Sequence, residues 1–251
     1  MIKSKKLKNF RSIKHAFFNR SGGKSGGIYK GLNCGIGSLD NKKDVIKNLN
    51  IVKSKIGLSK NNLVLLKQIH SDKFHFIKTS FNFKKKSGDA LITKTKKIGL
   101  GILTADCVPI LLFDKKEKII GAIHAGWKGA YKGIIYKVVK FMIKKGCDKK
   151  NIIAVIGPCI TQSSYEVKKD FKIKFLRKNR KYKSFFKLRN GKTYFSLNKF
   201  VYYQLKELGV NNLEIINKNT FDPKNNFFSA RRSLHSNHDD YGRNISLIMI
   251  N

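Results

Sequence analysis

The stretch LTADCVPILLFD, residues 103–114, followed by IGAIHAGWKG, residues 120–129, decides how this chain folds. Residues 108–113 form an apolar run with no polar residue alternating. A strand buried on one face alternates, whereas a strand covered on both faces reads as an unbroken apolar run. Residues 98–104 and 119–123 have the same character, and 63–69, 90–93 and 152–156 have strand length. Residues 129–145 place Ile134, Ile135, Val138, Val139 and Met142 on one helical stripe, closed by Gly146. Helical spacing also covers 44–57, with Gly57 as the stop, as well as 166–178 and 197–208. Residues 11–18 and 28–33 are β-type around the glycine-rich turn 21–27, and 213–216, 227–229 and 244–250 read as late strands. Strands and helices mix without regular βαβ alternation and without an internal repeat. This predicts an α/β or α+β fold on a mixed β-sheet core.

The chain has 251 residues, 41% of them hydrophobic, enough to bury a core without disulfide staples. The longest apolar stretch, 98–113, contains Asp106 and falls short of the ~20 apolar residues of a membrane span. No apolar segment follows the basic residues 1–10, so a secretory signal is not expected and a cytoplasmic protein is. Cys34, Cys107, Cys147 and Cys159 form no CxxC pair and read as reduced thiols or metal ligands. The net charge of +39 comes from 46 Lys and only 8 Arg. Arg is the side chain that reads phosphates and base edges bidentately. Lys spread over the whole chain, beside many Asn and Ile, indicates compositional drift. No specific nucleic-acid partner is expected, although salt-sensitive adhesion is. Residues 168–199 are locally dense, with 13 Lys or Arg and one acid, Asp170. They read as an exposed connector, or as an electropositive rim near an anionic substrate.

Three donors share a context. His70 closes 63–69 in KQIH, Cys107 follows 98–104 in TADC, and His124 closes 119–123 in HAGW. Each taken alone has an ordinary structural explanation. Two imidazoles and a thiolate together match a three-ligand catalytic zinc with an open position. Spacings of 37 and 17 residues exclude a local zinc finger and require a folded scaffold. Gly126 and Gly129 flank Trp127 and permit close backbone approach. Trp127 is a stacking surface for a base or a core filler. Gly129 opens the predicted helix and is an anion-binding position there. Asp106 and Asp89 are each an orienter, a general acid/base or a turn cap. Arg231, Arg232 and Arg243 are cationic binders of phosphate or carboxylate, or surface ion-pair partners. His235 and His238 fall in a segment without a helix signal.

The runs KQIHS (67–71), GDALIT (88–93), LTADCVPILLFD (103–114), IGAIHAGWKGAYKGI (120–134), IGPCI (156–160), SYEV (164–167), FFSARR (227–232) and YGR (241–243) resemble the YfiH-like family. This is also called the laccase-domain or multicopper polyphenol oxidase family, and its bacterial members the peptidoglycan editing factor. The resemblance runs in register from about residue 15 to the C-terminus, and the early LNCGIGSLD (32–40) fits it. It implies one domain over 1–251, with a sandwich-like mixed sheet core flanked by helices. It also implies likeness to the catalytic domain of cytotoxic necrotizing factor, where a Cys–His pair deamidates. It implies one zinc on His70, Cys107 and His124, with copper as the alternative metal. The implied activities are phosphorolysis of adenosine, inosine, guanosine and methylthioadenosine, and adenosine deamination. The implied partners are therefore purine nucleosides and phosphate, and no oligomeric state is specified. Three positions depart from the family pattern. Asn219 stands where many members have Cys, Leu49 where many have Arg, and Ala230 where many have an aromatic residue.

A zinc with this donor set activates water, which suits deamination at the purine C6. Cys107, His124 and Asp106 are the expected catalytic residues. Trp127, Gly129, Arg231, Arg232 and Arg243 are the expected substrate contacts. Two alternative enzymes remain: a Cys107–His124 hydrolase acting in peptidoglycan precursor editing, and a copper-dependent phenol oxidase. The latter is disfavoured because none of Met1, Met142 and Met249 lies beside a ligand.

Overall fold

Two β-sheets stacked face to face form the centre of the molecule, with helices over both outer faces. The computed structural model describes residues 1–59, 61–79 and 86–251. In chain order the elements are β1 (Ile13–Phe17), α1 (Lys42–Ile56), β2 (Leu63–Val64), β3 (Phe74–Ile77), β4 (Ala90–Thr93), β5 (Gly99–Thr104), β6 (Val108–Asp114) and β7 (Ile120–Ala125). There follow α2 (Trp127–Lys132), α3 (Ile134–Lys144), β8 (Ile152–Ile156), β9 (Glu166–Val167), α4 (Lys169–Lys178), β10 (Phe186–Arg189) and β11 (Lys192–Phe195). The last are α5 (Leu197–Glu207), β12 (Asn212–Ile215), α6 (Ala230–His235) and β13 (Asn244–Ile250).

One sheet has the order β12-β8-β6-β7-β4-β3, parallel at its two outer pairs and antiparallel between. A second has the order β1-β13-β5-β2, and a small third sheet is β10-β11-β9. The period of two along each strand sends alternate side chains to opposite layers. In β8, Ile153 and Val155 pack with Leu100, Ile102 and Ile248 of the four-stranded sheet. Ile152, Ala154 and Ile156 pack instead with Val138 and Met142 of α3 and Val201 of α5. The outer face of the four-stranded sheet, through Leu247 and Met249, packs on Val45, Val52 and Ile56 of α1. Each such buried aliphatic side chain contributes about 1.5–3 kcal/mol. The architecture is the mixed-sheet α/β fold that the unbroken apolar runs predict, with the sandwich-like core and flanking helices that the family resemblance implies. No helix among the described residues is long and apolar enough to cross a membrane.

Several local readings are corrected. The helix expected over 129–145 breaks at Gly133, whose φ of 97° lies in the left-handed region. Gly129 therefore lies inside α2 and does not open a helix; Gly126 is the N-cap. Residues 28–33 form no strand, only a 3-10 turn over Gly27–Tyr29. In the segment 166–178 the first two residues are β9, and α4 begins at Lys169. Residues 227–229 are not a strand, because the Ser229 side chain caps α6 by accepting from Arg232 N. His235 accordingly ends a helix, although no helix was expected there. The supposed connector within 168–199 folds as a 3-10 turn over Arg180–Phe185 and the β10–β11 hairpin. Its core is aromatic: Phe171, Phe175, Phe186 and Phe195 lie 4.7–6.1 Å apart between ring centroids. A few large rings bury this segment without an aliphatic periodicity.

Candidate metal centre

Antiparallel pairing of β6 with β7 places Pro109 opposite His124, so Cys107, just before β6, lies close to His124. His70 reaches the same point from the turn before β3. The ligand atoms of His70, Cys107 and His124 all lie within 4.8 Å of one another. Cys107 Sγ is 3.7 Å from His70 Nε2, and the two imidazole centroids are 4.8 Å apart, edge to face. A tetrahedral zinc with ordinary bond lengths separates sulfur and nitrogen donors by about 3.6 Å. The donor set fits such an ion, with a movement of the order of an ångström to close the widest gap. His124 is buried, Cys107 half-buried and His70 exposed, so the group opens to solvent on the His70 side.

Asp89, fully buried ahead of β4, organises two of the three donors. Its carboxylate accepts from the amides of Ile69, His70 and Ser71 and from the Ser71 hydroxyl. That fixes the turn in which His70 takes φ 55°, a left-handed conformation unusual for a β-carbon-bearing residue. The same carboxylate lies 2.8 Å from His124 Nδ1, leaving Nε2 for the metal side. This is the carboxylate–histidine arrangement that fixes tautomer and ring orientation in metal sites. Burial alone would raise the Asp89 pKa, but the hydrogen bonds from His124 and Ser71 outweigh it and lower it.

Burial likewise disfavours ionisation of Cys107, but the neighbouring His124 and His70 overcome it and bring the thiol down to about 6. His124 is raised to about 9, against its burial, by Cys107 and Asp89. Each of the two groups thus favours the charged form of the other. Gly126 makes room for the cluster. A β-carbon there would lie 2.7 Å from His70 Cδ2 and 3.0 Å from Cys107 Sγ.

The donors floor a cleft of about 310 Å³, walled by Leu65, Leu103 and Ile36 and by Tyr241 and Arg243. No methionine lines it, so the His₂Cys set lacks the methionine that commonly completes a blue-copper site. Of the residues expected here, Arg243 is in the cleft, its guanidinium 4.8 Å above Tyr241 and 3.4 Å from Asp240. Trp127 and Arg231 line a different groove. Gly129 packs against the Ser71 carbonyl inside α2. Arg232 donates to the carbonyls of Thr220, Phe221 and Phe227, which engages its fork in holding the backbone. Asp106, with φ 83°, accepts from Thr220 Oγ1, Ser229 Oγ and Arg231 N. It ties the Cys107 loop to α6.

Residues 14–251 match the family described as multi-copper polyphenol oxidoreductase laccase. This chain belongs to that family. A purine nucleoside phosphorylase of Rickettsia conorii is 39% identical over 185 residues, 73% of this chain and 75% of the relative. One of Rickettsia prowazekii is 38% identical over 180 residues, covering 69% and 72%. The crystal structure of the hypothetical protein YfiH of Bacillus licheniformis superposes with a TM-score of 0.87 at 28% identity, covering 95% of this chain and 93% of that one. A Neisseria meningitidis protein superposes with a TM-score of 0.86 at 28% identity, covering 96% and 95%.

None of Leu49, Asn219 and Ala230 lines the metal cleft. Asn219 braces a loop, accepting from Thr161 N and Phe221 N and donating to Ser164. Leu49 packs α1 on the four-stranded sheet, and Ala230 begins α6. In the sequence Asp89 has no decided role, and Tyr241 and Gln68 do not stand out as cleft residues. The only signals were their places in SGDALIT, YGR and KQIH.

Proposed function

We propose that this chain is a zinc-dependent purine nucleoside phosphorylase that also deaminates adenosine. The observation that carries this is the convergence of His70, Cys107 and His124 within 4.8 Å at the floor of a cleft that Arg243 and Tyr241 enter. The names of the Rickettsia relatives support the substrate class.

His70 Nε2, Cys107 Sγ and His124 Nε2 would hold the metal. A zinc bound by three protein donors supplies a Lewis acid with one open position, able to activate water or polarise a phosphate oxygen. The protein's own groups do the rest. Asp89 holds His124 in one orientation and His70 in its turn. Arg243 offers a cationic fork to an anionic phosphate oxygen. Leu65, Leu103 and Ile36 provide an apolar wall, and Tyr241 a ring, for a purine. Asp106 acts by position, holding the Cys107 loop.

The test is to incubate protein of measured zinc content with adenosine, with and without phosphate, and separate the products by chromatography. Adenine formed only with phosphate reports phosphorolysis, and inosine reports deamination. Zinc-loaded protein that yields neither would sink the proposal.

A second reading has one specific observation behind it, the placement of Cys107 beside His124, where each favours the charged form of the other. Such a pair is the nucleophile and base of a cysteine hydrolase. That reading requires activity that survives chelation and is lost on alkylation of Cys107.

A further inference from the structure

A second groove, of about 430 Å³, shares no lining residue with the metal cleft. Trp127, Tyr165 and Phe171 give it aromatic walls, and Lys168, Lys174 and Arg231 give it charge. Its volume lies within the range of about 300–1,000 Å³ common for small-molecule sites. We propose that this groove binds a nucleoside monophosphate, independently of the metal cleft.

The Trp127 ring packs edge-on against Phe171 at 4.9 Å, which fixes its plane. The ammonium groups of Lys128 and Lys174 stand 5.7 and 5.6 Å from its centroid. A flat base meets a π-surface there, and the cations meet negative charge on the same ligand. Arg231 lies 5.5 Å from the Tyr165 ring and donates one N–H to the Glu166 carbonyl. Its guanidinium makes no other hydrogen bond among the described residues, and neither does the Trp127 indole N–H. Both residues line the groove. Glu166 and Asp170 also line it, but Glu166 is paired with Lys192 at 3.3 Å. Three cations thus face one acid without a lysine partner. A ligand carrying both a ring and a phosphate uses every one of these features. A neutral nucleoside forgoes the charge, and free phosphate forgoes the rings.

Trp127 is the only tryptophan in the chain, so its fluorescence reports this groove directly. Titration of the zinc-loaded protein with AMP is expected to give saturable quenching, and adenosine to bind about tenfold more weakly or worse. Arg231→Met and, as a milder second variant, Lys174→Met should each weaken AMP by about tenfold. Arg243→Met removes the same unit of charge from the other cleft and should leave the AMP titration unchanged. His70→Ala should also leave it unchanged while its zinc content falls, so failure of the metal proposal and failure of this one are told apart. The inference is overturned by quenching that does not saturate. It is equally overturned by AMP affinity that Arg231→Met and Lys174→Met leave intact, or that Arg243→Met or His70→Ala abolishes.

Discussion

Asp89 Oδ1 lies 2.8 Å from His124 Nδ1, with both side chains almost wholly out of solvent. One buried carboxylate thereby orients the His124 ring while its other contacts fix the His70 turn. Asp89→Asn keeps the size but turns one oxygen into an N–H donor facing other N–H donors. Zinc affinity should fall by about 10- to 100-fold, with activity following. Competition with a chromophoric chelator measures this. Unchanged affinity would show that the contact does not support the donors.

Gly126→Ala tests space alone. Gly126 has φ −68° and ψ 161°, which alanine adopts without strain. Its methyl would collide with His70 and Cys107. A displacement near 1 Å should cost on the order of 100-fold in turnover, with only the modest loss of thermal midpoint that alanine at an N-cap brings. Calorimetry and zinc analysis on the same sample separate the two effects.

In zinc-stripped protein, Cys107 should alkylate with a midpoint near pH 6, because His124 and His70 stabilise its thiolate against the opposing effect of burial. The rate rises as pH climbs through about 6 and then levels, where an ordinary thiol would keep accelerating toward 9. Cys34, Cys147 and Cys159 are buried with raised thiol pKa values and should stay unlabelled. Peptide mapping after iodoacetamide at several pH values checks both points.

Arg232 and Arg243 should separate cleanly by phenotype. Arg232→Met leaves three carbonyls without their donor and should cost about 2–4 kcal/mol of stability. Arg243→Met should raise KM for phosphate by about tenfold or more, with under about 1 kcal/mol lost in denaturant titrations. The reverse pattern would reassign the two arginines.

His15 accepts a hydrogen bond from Ser4 N, 2.8 Å from its Nε2, and is 3% exposed. Burial, helped by the charge of Lys3, lowers its pKa from 6.5 to about 4. The unfolded chain therefore takes up a proton that the folded chain refuses. Above pH 6.5 this has no effect. As pH falls from 6.5 toward 4 the fold should lose up to about 3 kcal/mol, some 2 of it by pH 5. His15→Gln should flatten that slope in urea titrations at pH 7 and 5.

Much of this structure can be read from residue order. The apolar runs of β5 to β8 announce strands covered on both faces, because burial of both faces leaves no place for a polar residue. The HAGW and TADC motifs mark His124 and Cys107 as chemistry-bearing. The break at Gly133 escapes periodicity, since the apolar stripe of α3 extrapolates smoothly backwards over α2. The β10–β11 hairpin escapes it too, because a few phenylalanines bury it without a repeating pattern.

Which layers could form is written in the residue order, since side-chain periodicity and apolar content are local properties of the chain. Which polar groups meet is set by the folded arrangement. It gave Asp89 to both the His70 turn and the β7 strand that carries His124, locked Arg232 onto carbonyls, and sent Trp127 and Arg231 to a groove apart from Arg243. Those outcomes depend on how strand pairing and loop closure bring separate segments together, and hydrogen bonds of a few ångströms carry no imprint in local composition.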